Sequence, residues 1–356
     1  MHRPLTIACA FGAVVLSAPF AAAAPISWNT LSGTAPVIIG HRGAPAYLPE
    51  NSLGGNELAA EMGADIVETD VMLTADDKLV VMHDETLERT TDVEDRFAPR
   101  GADGVYYVSD FTLAEIRTLT VEPTGGAGLA YPGFVPSMTA PYRVPTLAEM
   151  LDEIDAYNVA NGTDLGILTE VKGSYSPLAS RLVVETMIDK GFTTEAMNGA
   201  AQSFDFENVF EMAGLIASAG ADIDVFQLGG AALVGGEWYV ALTETNARPL
   251  NLLATYVDGI AIYEPYLSES LIDTAHRLGL EVYGWTFRPS DLAAAQTMAA
   301  SFLDWGLDGY ITDNPDLIGA AVDLHGVAPV PLPAGMPLLL AGLGGLCGVA
   351  RSRRRT

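Results

Sequence analysis

Short apolar runs recur along the chain with helical spacing between them. The runs are Val37–Gly40, Ile66–Val71 with Leu79–Met82, Leu165–Val171, Gly199–Ser203, Ile223–Leu228, Gly259–Tyr263, Glu281–Trp285 and Gly309–Thr312. Their length and their bounding turn formers are those of buried strands. Segments between them, such as Leu267–Leu278 and Asp291–Leu303, repeat apolar residues at the helical period. Strands that alternate with helices predict an α/β fold with a parallel sheet, here a TIM-type (β/α)8 barrel.

Two stretches interrupt the rhythm. Residues 85–143 carry Asp92, Asp95, Pro99, Gly101, Gly104 and the tract Gly125–Gly128, and residues 229–251 carry two Gly-Gly pairs. Both read as insertions rich in turn formers. The first, an inserted loop region after the second strand segment, directly follows His83. It is expected over the barrel mouth, where long loops shape access, with a surface excursion as the alternative.

Composition limits the remaining classes. Hydrophobic residues make up 49% of 356, enough to fill one large barrel core. The N-terminus runs from Arg3 through an apolar stretch, Leu5–Phe20, to Ala21–Ala24, the order of a secretory signal, so residues 1–24 are expected to be cleaved. Residues 25–327 then form the barrel domain. The last segment, 328–356, contains Val330-Pro-Leu-Pro-Ala, an apolar stretch Met336–Ala350 and four arginines from Arg351 to Arg355. It resembles the VPLPA variety of bacterial PEP-CTERM sorting signals, with a simple membrane tether as the alternative. These ends imply an exported protein, periplasmic, cell-surface or secreted. Sorting and processing machinery would be its partner, and membrane contact would be confined to the C-terminal segment.

Cys9 and Cys347 both fall inside these end segments, so no disulfide is expected in the fold. Removing Arg3 and the four C-terminal arginines from the 18 basic residues leaves 13 against 45 acidic ones, a mature charge of −32. A surface so acidic repels nucleic acid and anionic membranes and keeps the protein soluble in saline surroundings.

The candidate chemistry sits at the ends of the predicted strands. His41 follows the first run, Glu68 and Asp70 close the second, and His83 follows Leu79–Met82; the chain has five histidines in all. Strand ends in a parallel barrel converge on one pocket, so these residues predict a metal-assisted acid/base site. Glu68 and Asp70, two apart on a strand, share a face and can grip one ion, with Glu170 completing the set. An all-oxygen set favours one hard divalent ion, Ca²⁺ or Mg²⁺, over zinc. Imidazoles titrate near neutral pH, so one can accept a proton while the other donates one. Arg42 and Lys172 supply fixed positive charge for an anionic substrate. Each residue also has a structural reading: ion pairs for the acids, hydrogen-bonded packing for the histidines and core packing for Trp285. For Arg42 the structural reading is a pair with Glu50 or Asp84.

The ordered segments His41-Arg42-Gly43, Pro49-Glu50-Asn51-Ser52, Glu68-Thr69-Asp70-Val71 and His83-Asp84-Glu85-Thr86-Leu87-Glu88-Arg89-Thr90-Thr91 closely resemble the glycerophosphodiester phosphodiesterase family. Glu170-Val171-Lys172, Gln202-Ser203-Phe204, Trp285-Thr286 and Asp308–Pro315 follow in order, so the resemblance spans Val37–Ile318. It implies His41 and His83 as the general acid/base pair, with their order open. Glu68, Asp70 and Glu170 would be the metal ligands, and Arg42 and Lys172 would lie near the phosphate. Trp285 is placed facing the alcohol part of the substrate, Gly43 permits a close backbone approach, and Glu50 and Asn51 brace the loop carrying His41. Asp308–Pro315 reads as the closing strand and turn of the barrel.

The implied activity is hydrolysis of a small glycerophosphodiester to an alcohol and sn-glycerol 3-phosphate. Attack by the substrate's own glycerol hydroxyl and attack by a metal-bound water are the two routes. A phospholipase or sphingomyelinase-D-like lyase on the same barrel is the rival enzyme. The soluble substrate is preferred because no amphipathic or basic membrane-binding stretch precedes the tail. A noncatalytic surface binding module on the same fold is the rival of a different class.

Overall fold

A computed structural model describes residues 27–326, except 101–102, 194–198 and 244. The expected signal (1–24) and sorting segment (328–356) lie outside the described residues. Among those described, no helix is long and apolar enough to cross a membrane.

Eight parallel strands close into a ring: β1 (Val37–Gly40), β2 (Ile66–Leu73), β4 (Gly166–Val171), β5 (Gly199–Ser203), β6 (Asp224–Val234), β9 (Gly259–Tyr263), β10 (Glu281–Phe287) and β11 (Gly309–Thr312). β11 pairs with β1 and β5 with β6, so no barrel strand is left as an edge. The helices Leu53–Glu61, Leu147–Asn161, Pro177–Asp189, Phe206–Ala219, Leu250–Leu253, Glu269–Arg277, Leu292–Trp305 and Pro315–Asp323 follow the strands in turn. Local chemistry sets their ends. Thr146 and Glu149 form a reciprocal capping box, and Gly162 terminates the same helix in the left-handed conformation.

Strand alternation divides the side chains into two sets. Ile38, Val67, Ile167, Val225, Ile260 and Val282 point outward and pack beneath the helices. Ile39, Ile66, Leu168, Ala200, Phe226, Ala261, Tyr283 and Ile311 point inward and fill the barrel. Two residues further along the same strands, the inward positions are His41, Glu68, Glu170, Gln202, Leu228, Tyr263, Trp285 and Asp313. One apolar layer thus supports one layer of chemistry at the C-terminal mouth, with Asp70 a further step along β2.

Three features differ from the sequence expectation. The run Leu79–Met82, grouped with the second strand, folds back on it: β3 (Leu79–Val81) pairs antiparallel with the end of β2, so His83 follows a hairpin strand and not a parallel barrel strand. The region 85–143 lies mostly outside regular secondary structure, as an inserted loop does, but its described residues are packed and not a loose excursion. Leu87, Val93, Val108, Phe111, Ile116, Leu119 and Val121 pack with Val80 and Met82 into a separate apolar core. Two short helices, Val93–Arg96 and Leu113–Ile116, lie within this region. The described residues of 229–251 are also ordered. β6 pairs with β9 as far as Gly229, then continues from Gly230 as an antiparallel partner of β7 (Glu237–Ala241), which pairs with β8 (Ala247–Pro249). The Gly-Gly step that reads as a turn is needed for close packing: a Cβ on Gly229 would lie 2.6 Å from Val240 Cγ1.

Candidate active site

His41 leaves β1 with its backbone N–H donating to the Thr312 carbonyl, 2.9 Å away. Its Nδ1 lies 2.6 Å from Asp313 Oδ1, and Arg288 Nε donates to the other Asp313 oxygen at 2.5 Å. Burial pulls the imidazole below its ordinary value, against the opposing hydrogen bond to Asp313. Burial raises the Asp313 carboxyl too, but His41 and Arg288 outweigh it and hold the group below its usual value. An ionised carboxylate only accepts, so Nδ1 carries the hydrogen and Nε2 is the nitrogen left to exchange protons.

His83 repeats the arrangement from another strand. Its Nδ1 lies 2.6 Å from Asp84 Oδ1, and Asp84 in turn accepts from Arg89, whose Nη2 is 3.0 Å from the same oxygen and whose Nε meets the other. Burial is again what lowers His83 most, while Arg89 and His83 bring Asp84 down to about 2. Arg89 also donates to both oxygens of Glu50, at 2.8 and 2.7 Å. Glu50 accepts from Arg42 Nη1 at 3.0 Å and from the Thr124 hydroxyl at 3.3 Å. The inserted region is therefore bonded into the site through Arg89 and Thr124.

Glu68, Asp70 and Glu170 are buried at 1%, 1% and 6% exposure, and one oxygen from each lies within 4.8 Å of the others. β2 and β4 run in register with Asp70 beside Glu170, and Gln202 on β5 stands beside Glu170. Two cations face the three acids. Arg42 Nε is 3.3 Å from Asp70, and Lys172 Nζ is 2.7 Å from Glu170 and 3.5 Å from Asp70. One negative charge is thus left in excess in a buried place. Burial, then Asp70 and Glu170, push Glu68 well above its ordinary value, and burial lifts Glu170 to about 7. Burial works in the same sense on Asp70, but Lys172 and Arg42 hold that group well below the usual carboxylate range. Three mutually close oxygen donors short of positive charge fit a hard divalent cation.

The loop after β1 is shaped around these acids. Arg42 has φ 54°, a left-handed conformation that costs a non-glycine residue about 1–3 kcal/mol. It turns the Arg42 N–H onto Glu68 Oε2 at 2.8 Å. Asn51, also at φ 54°, donates its N–H to the Arg42 carbonyl. Its side-chain amide donates to Asp70 Oδ2 at 2.8 Å and accepts from the Asp70 N–H at 3.2 Å. Gly43 makes its close approach to the helix Leu53–Glu61: a Cβ would lie 2.7 Å from the Gly55 carbonyl carbon.

These groups surround a cavity of about 150 Å³ lined by His41, Arg42, Glu68, His83, Glu170 and Lys172, with Gln202, Phe204, Trp285 and Arg288 on its other walls. A larger groove of about 690 Å³ lies near Leu58 and Ala320 and contains none of these groups. Trp285 donates its indole N–H to the Ala261 carbonyl at 3.0 Å and stands edge-on to Phe204, ring centres 5.4 Å apart.

The residues expected from the sequence, His41, His83, Glu68, Asp70, Glu170, Arg42, Lys172 and Trp285, thus come together, with Gly43, Glu50 and Asn51 in the supporting loop. Arg42 pairs with Glu50 and Asp70, not with Asp84. Asp313, Arg288 and Arg89 were not anticipated as partners. The Asp308–Pro315 segment does contain the closing strand, but Asp313 just beyond it is the carboxylate bound to His41. The signals available were two acids just beyond strands: Asp313 directly after Thr312 at the end of β11, and Asp84 directly after His83, three residues past β3.

Residues 41–317 match the model of the glycerophosphoryl diester phosphodiesterase family. Among curated relatives, YhdW of Bacillus subtilis is 30% identical over 281 residues, covering 79% of this chain and 96% of the relative. A glycerophosphodiester phosphodiesterase of the same organism is 28% identical over 309 residues, covering 81% and 87%. Among solved structures, an Oleispira antarctica phosphodiesterase in complex with the product sn-glycerol-3-phosphate shares the fold with a TM-score of 0.59. It is 22% identical and is covered in full by 83% of this chain.

Proposed function

The chain belongs to the glycerophosphoryl diester phosphodiesterase family, and we propose that it is an exported enzyme that hydrolyses glycerophosphodiesters to an alcohol and sn-glycerol 3-phosphate by histidine acid/base catalysis. One observation carries this reading. Two imidazoles, each with Nδ1 tied to a carboxylate, line a cavity that also holds two fixed cations and part of a buried acidic triad.

The phosphate is an anion, and Arg42 and Lys172 are the cations that receive it. The substrate's own glycerol hydroxyl attacks phosphorus, which removes the entropic cost of bringing a separate nucleophile. One histidine takes the hydroxyl proton at Nε2, and the other gives a proton at Nε2 to the departing alcohol oxygen. Water then opens the cyclic phosphate with the two roles reversed. A divalent cation, Ca²⁺ or Mg²⁺, held by Glu68, Asp70 and Glu170 would add Lewis-acid stabilisation of the phosphate charge. Trp285 faces the alcohol part. The order of the signal-like and sorting-like segments at the two ends supports export, to the periplasm, the cell surface or the medium.

The test is a panel of glycerophosphodiesters given to metal-stripped protein, with Ca²⁺, Mg²⁺ and Zn²⁺ added back one at a time. Hydrolysis with Ca²⁺ or Mg²⁺, abolished in His41→Ala and His83→Ala without loss of thermal stability, is the expected result. No hydrolysis of any member with any metal overturns the reading.

A further inference from the structure

Beside the ionisable cavity, and sharing Phe204, Tyr263 and Trp285 with it, lies a second cleft of about 420 Å³. Its chemistry is the opposite of the first. Tyr266 adds another aromatic ring, the far wall is Gly229–Ala232 and Ala241–Thr243, and among the described residues no Asp, Glu, Lys, Arg or His lines it. The aromatic rings run as a series across the boundary: Phe204 to Trp285 at 5.4 Å, Trp285 to Tyr263 at 5.0 Å and Tyr263 to Tyr266 at 6.0 Å. Tyr263 and Tyr266 are 43% and 53% exposed, although the surface of this chain is otherwise strongly acidic.

The cleft exists because of the β6–β7 extension, which an eight-stranded barrel does not require. Its walls are kept low: a Cβ on Gly230 would lie 3.2 Å from the Tyr266 ring. Because Phe204, Tyr263 and Trp285 belong to both walls, a phosphodiester seated between Arg42 and Lys172 can extend one substituent across these rings into the cleft. An anionic head group finds no cation among the described lining, a quaternary ammonium would meet only the faces of the rings, and a small alcohol would leave most of the cleft wet. An apolar chain removes both surfaces from water.

We propose that the β6–β7 cleft binds a single apolar chain on the substrate, so that the enzyme acts on single-chain phosphodiesters in preference to chainless ones. The proposal rests on the phosphodiesterase reading and names its substrate class. The chain has two sources, an ester on the glycerol or an aliphatic leaving alcohol, and both present the same surface.

The experiment compares three soluble substrates below their micelle concentrations: glycerophosphocholine, 1-hexanoyl-glycerophosphocholine and the hexyl ester of glycerol 3-phosphate. Each is assayed with the full chain, with Ala232→Phe and with Ala241→Phe, which fill the cleft without touching the ionisable cavity. The expected result is a kcat/KM about tenfold or more higher for one hexyl-bearing substrate, set by the methylenes buried. The filling variants should lose that gain while keeping glycerophosphocholine turnover, which also shows that they fold. Gain with the ester places the chain on the glycerol, and gain with the hexyl alcohol places it on the leaving group. Equal kcat/KM for all three, or a gain untouched by both filling variants, overturns the cleft's role and leaves the phosphodiesterase reading standing. Hydrolysis of none overturns both.

Discussion

Arg89 closes on Glu50 with two hydrogen bonds, at 2.7 and 2.8 Å, tying the segment after His83 to the loop after His41. The same guanidinium holds Asp84, the acceptor of His83. One side chain from the inserted region thus sets the orientation of His83 and, through Glu50, of Arg42.

Arg89→Ala should therefore lower kcat by about ten- to a hundredfold while changing KM little, since Arg89 acts through residues that touch substrate. Arg89→Lys should restore only part of the loss, because an ammonium cannot span Glu50 and Asp84 as a planar fork does. Steady-state kinetics decides it, and a full rescue by lysine would leave charge alone as the role.

Asp313→Asn is the corresponding change at the other histidine. An amide can accept or donate at Nδ1, so the imidazole loses its fixed tautomer, and kcat should fall by about 10²–10⁴-fold. Asp313 also raises the His41 pKa by hydrogen bond and charge, against the larger effect of burial. In the variant that support is gone, so His41 should titrate at still lower pH. NMR titration of the imidazole in wild type and variant checks the direction; an upward shift would contradict it.

Because burial lowers both imidazoles, the kcat/KM profile should be bell-shaped with its limbs set by groups titrating below the ordinary histidine value near 6.5. The base works once it is neutral, above its pKa, and the acid works while protonated, below its own. The optimum is therefore expected on the acid side of neutrality. A profile still rising above pH 8 would contradict the assignment.

The barrel was legible because strands buried on both faces read as apolar runs. The site was legible because strand ends converge. The pairings were not: His41 and Asp313 are 272 residues apart in sequence, and nothing local marks them as partners. The inserted core was missed for a different reason. Leu87, Val93, Val108, Phe111, Ile116 and Leu119 follow no single period, so only their packing shows that they belong together. At Gly229-Gly230 the turn reading failed because close approach to Val240, not chain reversal, is what requires a glycine there.

The acidic triad makes a prediction independent of turnover. Added Ca²⁺ or Mg²⁺ should raise the Tm of stripped protein, with a stabilisation of about 2.7 kcal/mol at a hundred times Kd. Glu68 is pushed well above the usual carboxylate range, chiefly by burial, so Glu68→Gln replaces a group already prone to protonation. Its stripped Tm should match or exceed the wild type, while its response to the ion should be lost. Calorimetry with and without the ion checks both, and an undiminished response would remove Glu68 from the ligand set.

Glu153, on the helix Leu147–Asn161, has an oxygen without a hydrogen-bond partner. Burial, and then the charge of Glu57, push its carboxyl up to about 8. The folded protein therefore keeps a proton there that the unfolded chain releases above the ordinary carboxylate value of about 4.3. Stability should fall as pH rises between these values, by at most about 1.4 kcal/mol per pH unit and by less for a side chain only partly shielded from water. Glu153→Gln removes the titrating group but keeps its shape. The Tm difference between variant and wild type should widen from pH 5 to pH 8 in favour of glutamine and stay constant above. A difference independent of pH would show that Glu153 is ionised throughout and relieved by water.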